Sequence, residues 1–156
     1  MAELRFGISD AAAVAGARMF FGMASSTVAP ANVEPNTLIN SIGIGHGAAD
    51  TNLSIYFGGS TAQTPINLGA NFPSNTLSVD MYELALYAAP NTQTCNYQVT
   101  RLNTGQVASG VLSGVAGVAL PASTVLMNWT GYRTNNATAL AVGFDICSAA
   151  VAMADE

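Results

Sequence analysis

The chain has 156 residues, of which 50% are apolar and only 8% are charged, and its formal net charge is −5. Four arginines and no lysine offer almost no basic surface to a phosphate backbone, so nucleic-acid binding is excluded as a main function. Half the residues being apolar excludes an intrinsically disordered chain, because this composition supplies ample material for a core. The length is that of one domain, which we place at residues 1–156.

The first segment of the chain is ambiguous. The stretch SDAAAVAGA at 9–17 is rich in alanine, and Ser9 or Asp10 could cap a short helix there. The same stretch is equally compatible with a strand edge or a linker. We therefore expect 1–17 to be either a linker or an N-terminal arm, with a short helix as the alternative.

Alternating apolar and polar residues, separated by turn residues, predict strands along the rest of the chain. The residues Asn103, Thr104 and Gly105 suit a three-residue hairpin connection, in which Gly105 supplies the positive φ angle. About eight short strands indicate an all-β fold, an antiparallel β-sandwich of jelly-roll-like kind. The predicted strands lie at 18–25, 37–45, 52–59, 80–90, 96–102, 106–112, 123–133 and 138–149.

The stretch INSIGIGHGAADTNLSIYFGG contains Gly43, Gly45 and Ala48 in the G-x-G-x-x-A spacing of a dinucleotide-binding turn. Such a turn must be followed by a helix, whose N-terminus faces the pyrophosphate. Here the strand-like segment NLSIYFGG begins within four residues of Ala48 and leaves no room for that helix. We interpret the stretch as a glycine-rich strand end and bend, and we predict no cofactor.

The only histidine, His46, lies in this bend close to Asp50. The chain has no G-x-S-x-G elbow for a hydrolase. Asp50 and Asn52 offer oxygen ligands to calcium, but the loop lacks the carboxylates of a dedicated site. We therefore predict no catalytic residues, no metal site and no enzymatic activity, and we treat His46 and Asp50 as candidate ligand contacts in a loop or interface.

A cluster of aromatic and polar residues in NWTGYRTNN is a candidate glycan-binding site. Aromatic rings stack on the apolar faces of sugars, while arginine and asparagine supply hydrogen bonds. The alternative is that the single tryptophan of the chain packs in the core or in a subunit interface. The candidate residues are Trp129, Tyr132, Arg133, Asn135 and Asn136.

Asp145 lies within the apolar segment 138–149, where an unpaired carboxylate would be costly. We expect Arg101 or Arg133 to pair with it in a structural role. The two cysteines, Cys95 and Cys147, also lie in strand-like segments. We expect reduced core thiols, with a disulfide as the alternative if their strands are neighbours.

Five segments distributed over nearly the whole chain resemble a module found in structural proteins of tailed bacteriophages and prophages, especially tail fibres. These segments are RFGISDAAAVAGARMF, NTLINSIGIGHGAADTNLSIYFGG, INLGANFPSNTLSVDMYELALYAAP, YQVTRLNTGQVASG and RTNNATALAVGFDI. The resemblance implies a β-sandwich at the distal end of a fibre, assembled as a homotrimer, with a role in attachment to the host surface. It implies no catalytic residues.

The composition agrees with an assembled particle protein, since the surplus of apolar residues favours oligomerisation. The longest apolar run carries Asp145 and is too short to span a membrane, so we expect no membrane insertion. We predict a virion protein assembled in the bacterial cytoplasm, most simply a trimeric fibre tip that binds a surface polysaccharide. The alternative is a decoration protein that contacts other virion proteins on a capsid or tail.

Overall fold

The computed structural model describes residues 1–28, 31–90 and 92–152. The described residues form ten strands and one short 3-10 helix, Pro35–Thr37. No helix in these ranges is long and apolar enough to cross a membrane. The strands are β1 (Ala2–Ile8), β2 (Arg18–Ala24), β3 (Ser41–His46), β4 (Ser54–Gly58), β5 (Ile66–Asn67), β6 (Met81–Tyr87), β7 (Thr94–Arg101), β8 (Gln106–Ser113), β9 (Asn128–Thr134) and β10 (Phe144–Val151).

The strands build two five-stranded antiparallel sheets that pack face to face. Sheet A has the order β10-β1-β6-β7-β8, and sheet B has the order β5-β4-β3-β2-β9. The last two strands, β9 and β10, therefore lie at edges of different sheets. The prediction of an all-β antiparallel sandwich is confirmed.

The core is built by period-2 alternation, most clearly in β6 and β7. Leu84 and Leu86 of β6 and Val99 of β7 point inwards and are buried, while the residues between them face outwards. Phe6 of β1 packs edge-on against Phe21 of β2 across the two sheets, with ring centroids 6.2 Å apart. Burial of each such large apolar side chain contributes about 1.5–3 kcal/mol to folding.

The prediction of a linker or N-terminal arm is wrong for residues 2–8 and right for 9–17, which join β1 to β2, and the alternative of a short helix is wrong. Ala2–Ile8 forms β1, which pairs with both β6 and β10 inside sheet A. Its Leu4, Phe6 and Ile8 are almost fully buried. Residues 9–17 form bends and turns, because a helix this short gains too few hydrogen bonds to be stable by itself.

The glycine-rich stretch is confirmed as a strand followed by a bend. In β3, Gly43 pairs with Gly22 of β2, and Gly45 pairs with Phe20. A Cβ atom on Gly45 would fall on the backbone carbonyl of Met19, and one on Gly43 would lie 2.8 Å from the ring of Phe20. These glycines therefore serve close packing between β2 and β3.

The predicted hairpin at Gly105 is confirmed, but four residues, 102–105, connect the paired Arg101 and Gln106 where three were expected. Gly105 has φ 72°, and its N–H donates to the carbonyl of Arg101 at 2.9 Å. The turn joins β7 to β8 in regular register from Thr94 opposite Ser113 to Arg101 opposite Gln106.

The two cysteines differ in environment, and neither forms a disulfide. Cys95 is buried in the core, and burial raises the pKa of its thiol to about 11. Cys147 is exposed in β10, next to the register shift opposite Arg5 and Phe6. The prediction of core thiols is therefore right for Cys95 and wrong for Cys147.

Candidate functional site

A buried ion pair joins the loop after β1 to strand β9. Arg133 Nε donates to Asp10 Oδ1 at 2.8 Å, and Arg133 Nη2 donates to Asp10 Oδ2. The two side chains are only 2% and 0% exposed. The backbone N–H of Gly143 and the side-chain amide of Asn75 also donate to this carboxylate, at 2.9 Å and 3.1 Å. These four hydrogen bonds compensate for the desolvation of Asp10.

His46 extends this network towards the bend after β3. Arg133 Nη1 lies 2.7 Å from His46 Nε2, and because a guanidinium only donates, Nε2 must accept. The proton is then on Nδ1, which lies 3.1 Å from the carbonyl oxygen of Gly47 and donates to it. Burial lowers the pKa of His46, so the neutral ring is the folded form.

This arrangement predicts a pH-dependent stability. The folded-state pKa of His46 lies below its unfolded value of 6.5, so the unfolded chain binds the proton more readily. The free energy of unfolding should therefore fall as the pH drops below 6.5 and recover on neutralisation. His46→Gln keeps an acceptor but does not titrate, and should flatten the dependence of the Tm between about pH 5 and about pH 7.5. An unchanged slope in the variant would remove His46 as the cause.

Two carboxylates hold the bend that follows His46. Asp50 Oδ2 accepts from the N–H of Gly47 at 2.8 Å and from the hydroxyl of Tyr56 at 2.9 Å. Glu34 Oε2 accepts from the N–H of Ala48 at 3.1 Å. Burial, followed by the hydrogen bond to Asp50, raises the pKa of Tyr56 above its ordinary value, so its hydroxyl remains a donor. The role that the contacts assign to Asp50 is to fix the backbone of this bend.

The bend borders a groove of about 480 Å³, in which Glu34, Asp50 and Tyr56 are polar lining residues. In residues 1–28, 31–90 and 92–152, no three His, Cys, Asp or Glu side chains come together as metal ligands would. Asp50, weighed with Asn52 as a calcium ligand, has one acidic neighbour at this bend, Glu34, and both carboxylates accept from backbone N–H groups there.

The structure buries Tyr132 and Arg133 of the predicted glycan cluster on β9, so that interpretation is wrong for these two, and it leaves Trp129 partly buried against the core, as the alternative expected. Trp129 packs edge-on against Phe21 at a centroid distance of 6.1 Å. Tyr132 is 7% exposed, and its hydroxyl donates to the carbonyl of Val33 at 3.0 Å. Arg133 is buried against Asp10. Sheet A covers the inner face of β9, and the segment 31–38 covers its outer face.

The two asparagines of that cluster shape the turn after β9. Asn135 donates its amide N–H to the carbonyl of Leu140 at 2.9 Å. Asn136 has φ 54°, and its side-chain oxygen accepts from Arg18 at 3.3 Å and from Asn32 at 3.1 Å. The structure thus brings His46 into contact with Arg133, while Asn135 and Asn136 lie in the turn beyond them.

The predicted partner of Asp145 is also wrong. Arg101 Nη2 donates to Asp80 Oδ2 at 2.5 Å, and Arg133 pairs with Asp10. Asp145 is exposed in β10, an edge strand of which seven of the eight residues are exposed. An exposed carboxylate needs no partner, so the apolar sequence around Asp145 did not signal burial.

The outer face of sheet A carries a second groove, of about 380 Å³, which the sequence did not indicate. Tyr87 of β6 lies opposite Asn96 of β7, and the next row places Ala85 opposite Gln98 and Ser109. All but Ala85 are exposed, and Tyr87 is 46% exposed. Alternation in YELALY and CNYQV assigns these residues to an outer face, but only the strand register places them side by side.

Large apolar side chains also remain exposed at the surface. On β10, Ile146 is 55% exposed and Val151 is 57% exposed. Ile146 lies opposite Phe6, whose side chain is fully buried, so it is on the core-facing side of sheet A. More than half of this core-facing side chain is therefore left uncovered. Other exposed apolar residues are Leu77, Val79, Val107, Val111, Val115 and Leu126.

No family model matches the sequence, and no curated protein matches it. Two solved structures match the fold, both of scytalido-glutamic peptidase, one with a transition-state analogue inhibitor and one with a peptide-based transition-state analogue. Each is 12% identical to this chain, with TM-scores of 0.49 and 0.47. Each match covers 95% of this chain and 66% of the peptidase, so this chain spans about two thirds of the peptidase length.

The prediction that the chain is not an enzyme is contradicted by these neighbours, both of which are peptidases. We withdraw that prediction. At 12% identity the likeness concerns the fold alone, and no peptidase residue or activity is carried over to this chain.

Proposed function

We propose that the chain is a structural module of a tailed-bacteriophage particle, of the tail-fibre kind, that assembles with copies of itself and attaches the particle to a glycan of the bacterial surface. The five segments that resemble the fibre module support this proposal. They extend from Arg5 to Ile146 and include strands of both sheets. The place of the protein is then the virion, where other virion proteins are its further partners.

The observation that supports assembly is the exposed and almost uncharged edge strand β10. This strand pairs with β1 on one side and forms the edge of sheet A on the other. It has a single charged residue, Asp145, whereas natural edge strands are commonly protected by charges, proline or a covering segment. Its core-facing Ile146 is left more than half exposed. A second copy that packs against this edge would bury Ile146 and Val151.

The number of copies follows from the resemblance, which implies a homotrimer. A trimer uses two different patches of each subunit, and three-fold rotation closes the ring. The exposed apolar residues are not confined to β10 and include Val115 and Leu126 in the segment between β8 and β9, outside the grooves described above. Such a surface supplies the second patch that a closed ring requires.

Analytical ultracentrifugation tests the assembly. We expect a trimer at micromolar concentration, and we expect Ile146→Asp to convert it to monomers, because a carboxylate would be desolvated in the interface. Leu102→Asp is the matched control, since Leu102 is 43% exposed in the turn between β7 and β8 and β10 lies on the opposite edge of sheet A. That variant should remain trimeric.

A wild-type protein that is monomeric at this concentration would contradict the proposed assembly. An Ile146→Asp variant that still sediments as a trimer would remove β10 from the interface. A decoration protein would also assemble with copies of itself, so the oligomeric state does not separate a fibre tip from it. Glycan recognition distinguishes a fibre tip from a decoration protein, and it requires a binding site on the surface.

A further inference from the structure

We propose that the groove on the outer face of sheet A is the glycan-binding site, and that it takes a neutral oligosaccharide. Its role in attachment rests on the function proposed above, whereas the binding itself does not. The groove lies on β6, β7 and β8 and is separate from the buried residues of β9 that the sequence indicated.

The depth of the groove follows from the sizes of side chains in adjacent rows. One row across the face holds Tyr87, Asn96 and Val111. In the next row the small residues Ala85 and Ser109 flank Gln98. The small side chains form the floor, and the large side chains of the first row form one wall.

Among the described residues, no charged side chain lines the groove. Met1 lies at its rim, and the N-terminal ammonium of Met1 donates to the backbone carbonyl of Ala152 at 2.6 Å. The ion cluster of Arg5 lies on the same face but outside the lining, with Arg5 Nε 2.6 Å from Glu83 Oε2 and Arg5 Nη2 3.4 Å from Glu3 Oε1. Without a cationic side chain in the lining to pair with the carboxylate of an acidic sugar, the groove suits a neutral chain.

The groove offers the groups that sugar recognition requires. Tyr87 is 46% exposed, and its ring offers a flat apolar surface on which a pyranose can stack. Asn96 donates to the backbone carbonyl of Tyr87 at 3.4 Å, which orients its amide. The amide of Gln98 and the hydroxyl of Ser109 are exposed donors and acceptors for sugar hydroxyls. Tyr87 is the one tyrosine of the five in the described chain that is exposed in this way.

The site is rigid before the ligand arrives. Strands β6, β7 and β8 are in continuous antiparallel register through all of these residues. Binding therefore costs little backbone entropy. A groove that contacts only a few sugar rings gives a weak affinity per site. Several sites in one assembly raise the overall affinity, because binding at one site increases the effective concentration of the glycan at the others.

An oligosaccharide array tests the site directly. The intact protein is applied to neutral chains built of glucose, galactose and N-acetylhexosamines, and to chains that contain uronic or sialic acids. We expect binding to at least one neutral chain and none that depends on an acidic sugar. Tyr87→Ala should weaken the apparent affinity by about tenfold or more, and Gln98→Ala by a few-fold.

Leu102→Ala is the control, because it also removes an exposed apolar side chain but lies outside the groove. Tyr87→Ala must keep the wild-type Tm and sedimentation behaviour, so that unfolding or dissociation is not mistaken for loss of binding. Binding to no neutral chain, or binding that Tyr87→Ala leaves unchanged, overturns the inference. A change of oligomeric state in Tyr87→Ala also overturns it, since the groove would then be a subunit contact.

The two proposals fail separately. A trimer that shows no Tyr87-dependent binding would refute this site and leave the assembly intact. A monomer that binds neutral sugars through Tyr87 would refute the assembly and leave this site intact. Purified protein can also be applied to bacterial cells, where a neutral oligosaccharide from the array should compete with attachment.

Discussion

Replacing Asp10 by alanine should lower the free energy of unfolding by about 3–5 kcal/mol, the usual cost of leaving a buried charge without its partner. The side chain of Arg133 is 2% exposed, so bulk solvent does not reach the guanidinium to replace the lost carboxylate. The substitution also leaves the backbone N–H of Gly143 without its acceptor. Equilibrium denaturation by urea measures the loss through the shift in midpoint.

Asp145→Ala is the control for this prediction, because Asp145 is exposed and opposite Gly7 in the sheet register. Its effect should stay within about 0.5 kcal/mol, as for most surface substitutions. An equal decrease in the free energy of unfolding in the two variants would contradict the pairing of Arg133 with Asp10. A decrease in Asp145→Ala alone would favour the interpretation drawn from the sequence, in which Asp145 pairs with an arginine.

Replacing Gly45 by alanine should destabilise the protein by at least about 3 kcal/mol, because the new methyl group meets backbone and not a movable side chain. Its Cβ would fall on the carbonyl oxygen of Met19 and lie 3.1 Å from the Cα of Phe20. Strands β2 and β3 would have to separate at the centre of sheet B. The Tm from thermal unfolding, or loss of folded protein on expression, reports the effect.

Gly69→Ala separates this clash from the general cost of replacing glycine. Gly69 has φ 83°, and nothing lies within 4 Å of a Cβ built on it. Only the left-handed backbone is then penalised, at about 1–2 kcal/mol. If Gly45→Ala costs no more than Gly69→Ala, the close approach of β2 and β3 is not a requirement of the fold.

The fold class was predictable because alternation is a local property of the chain. All eight predicted strands correspond to observed strands, with shifted ends. Strand β1 was not predicted, because the alanine-rich residues that follow it favoured a helix or a linker for the whole segment. Strand β5 has two residues, too few for a pattern. The division of the strands between two sheets depends on contacts far apart in sequence, which periodicity does not contain.

The site was predictable only in part, for a similar reason. The bend at His46 and Asp50 was recognised from its glycines, but its partners Arg133 and Glu34 come from distant segments. Asp145 was expected to be buried because its neighbours are apolar, although β10 is an edge strand. The groove around Tyr87 could not be predicted without the register of three strands. Alternation alone gives the face on which each residue lies but not the residues beside it.

The most direct test of the account is a crystal structure of the assembled protein with a neutral oligosaccharide that it binds on the array. We expect copies in contact along β10, with Ile146 buried between subunits, and a sugar ring stacked on Tyr87 in a groove that faces solvent. Copies that cover the groove of sheet A with a neighbouring subunit, while β10 remains exposed, would contradict both the assembly and the binding site.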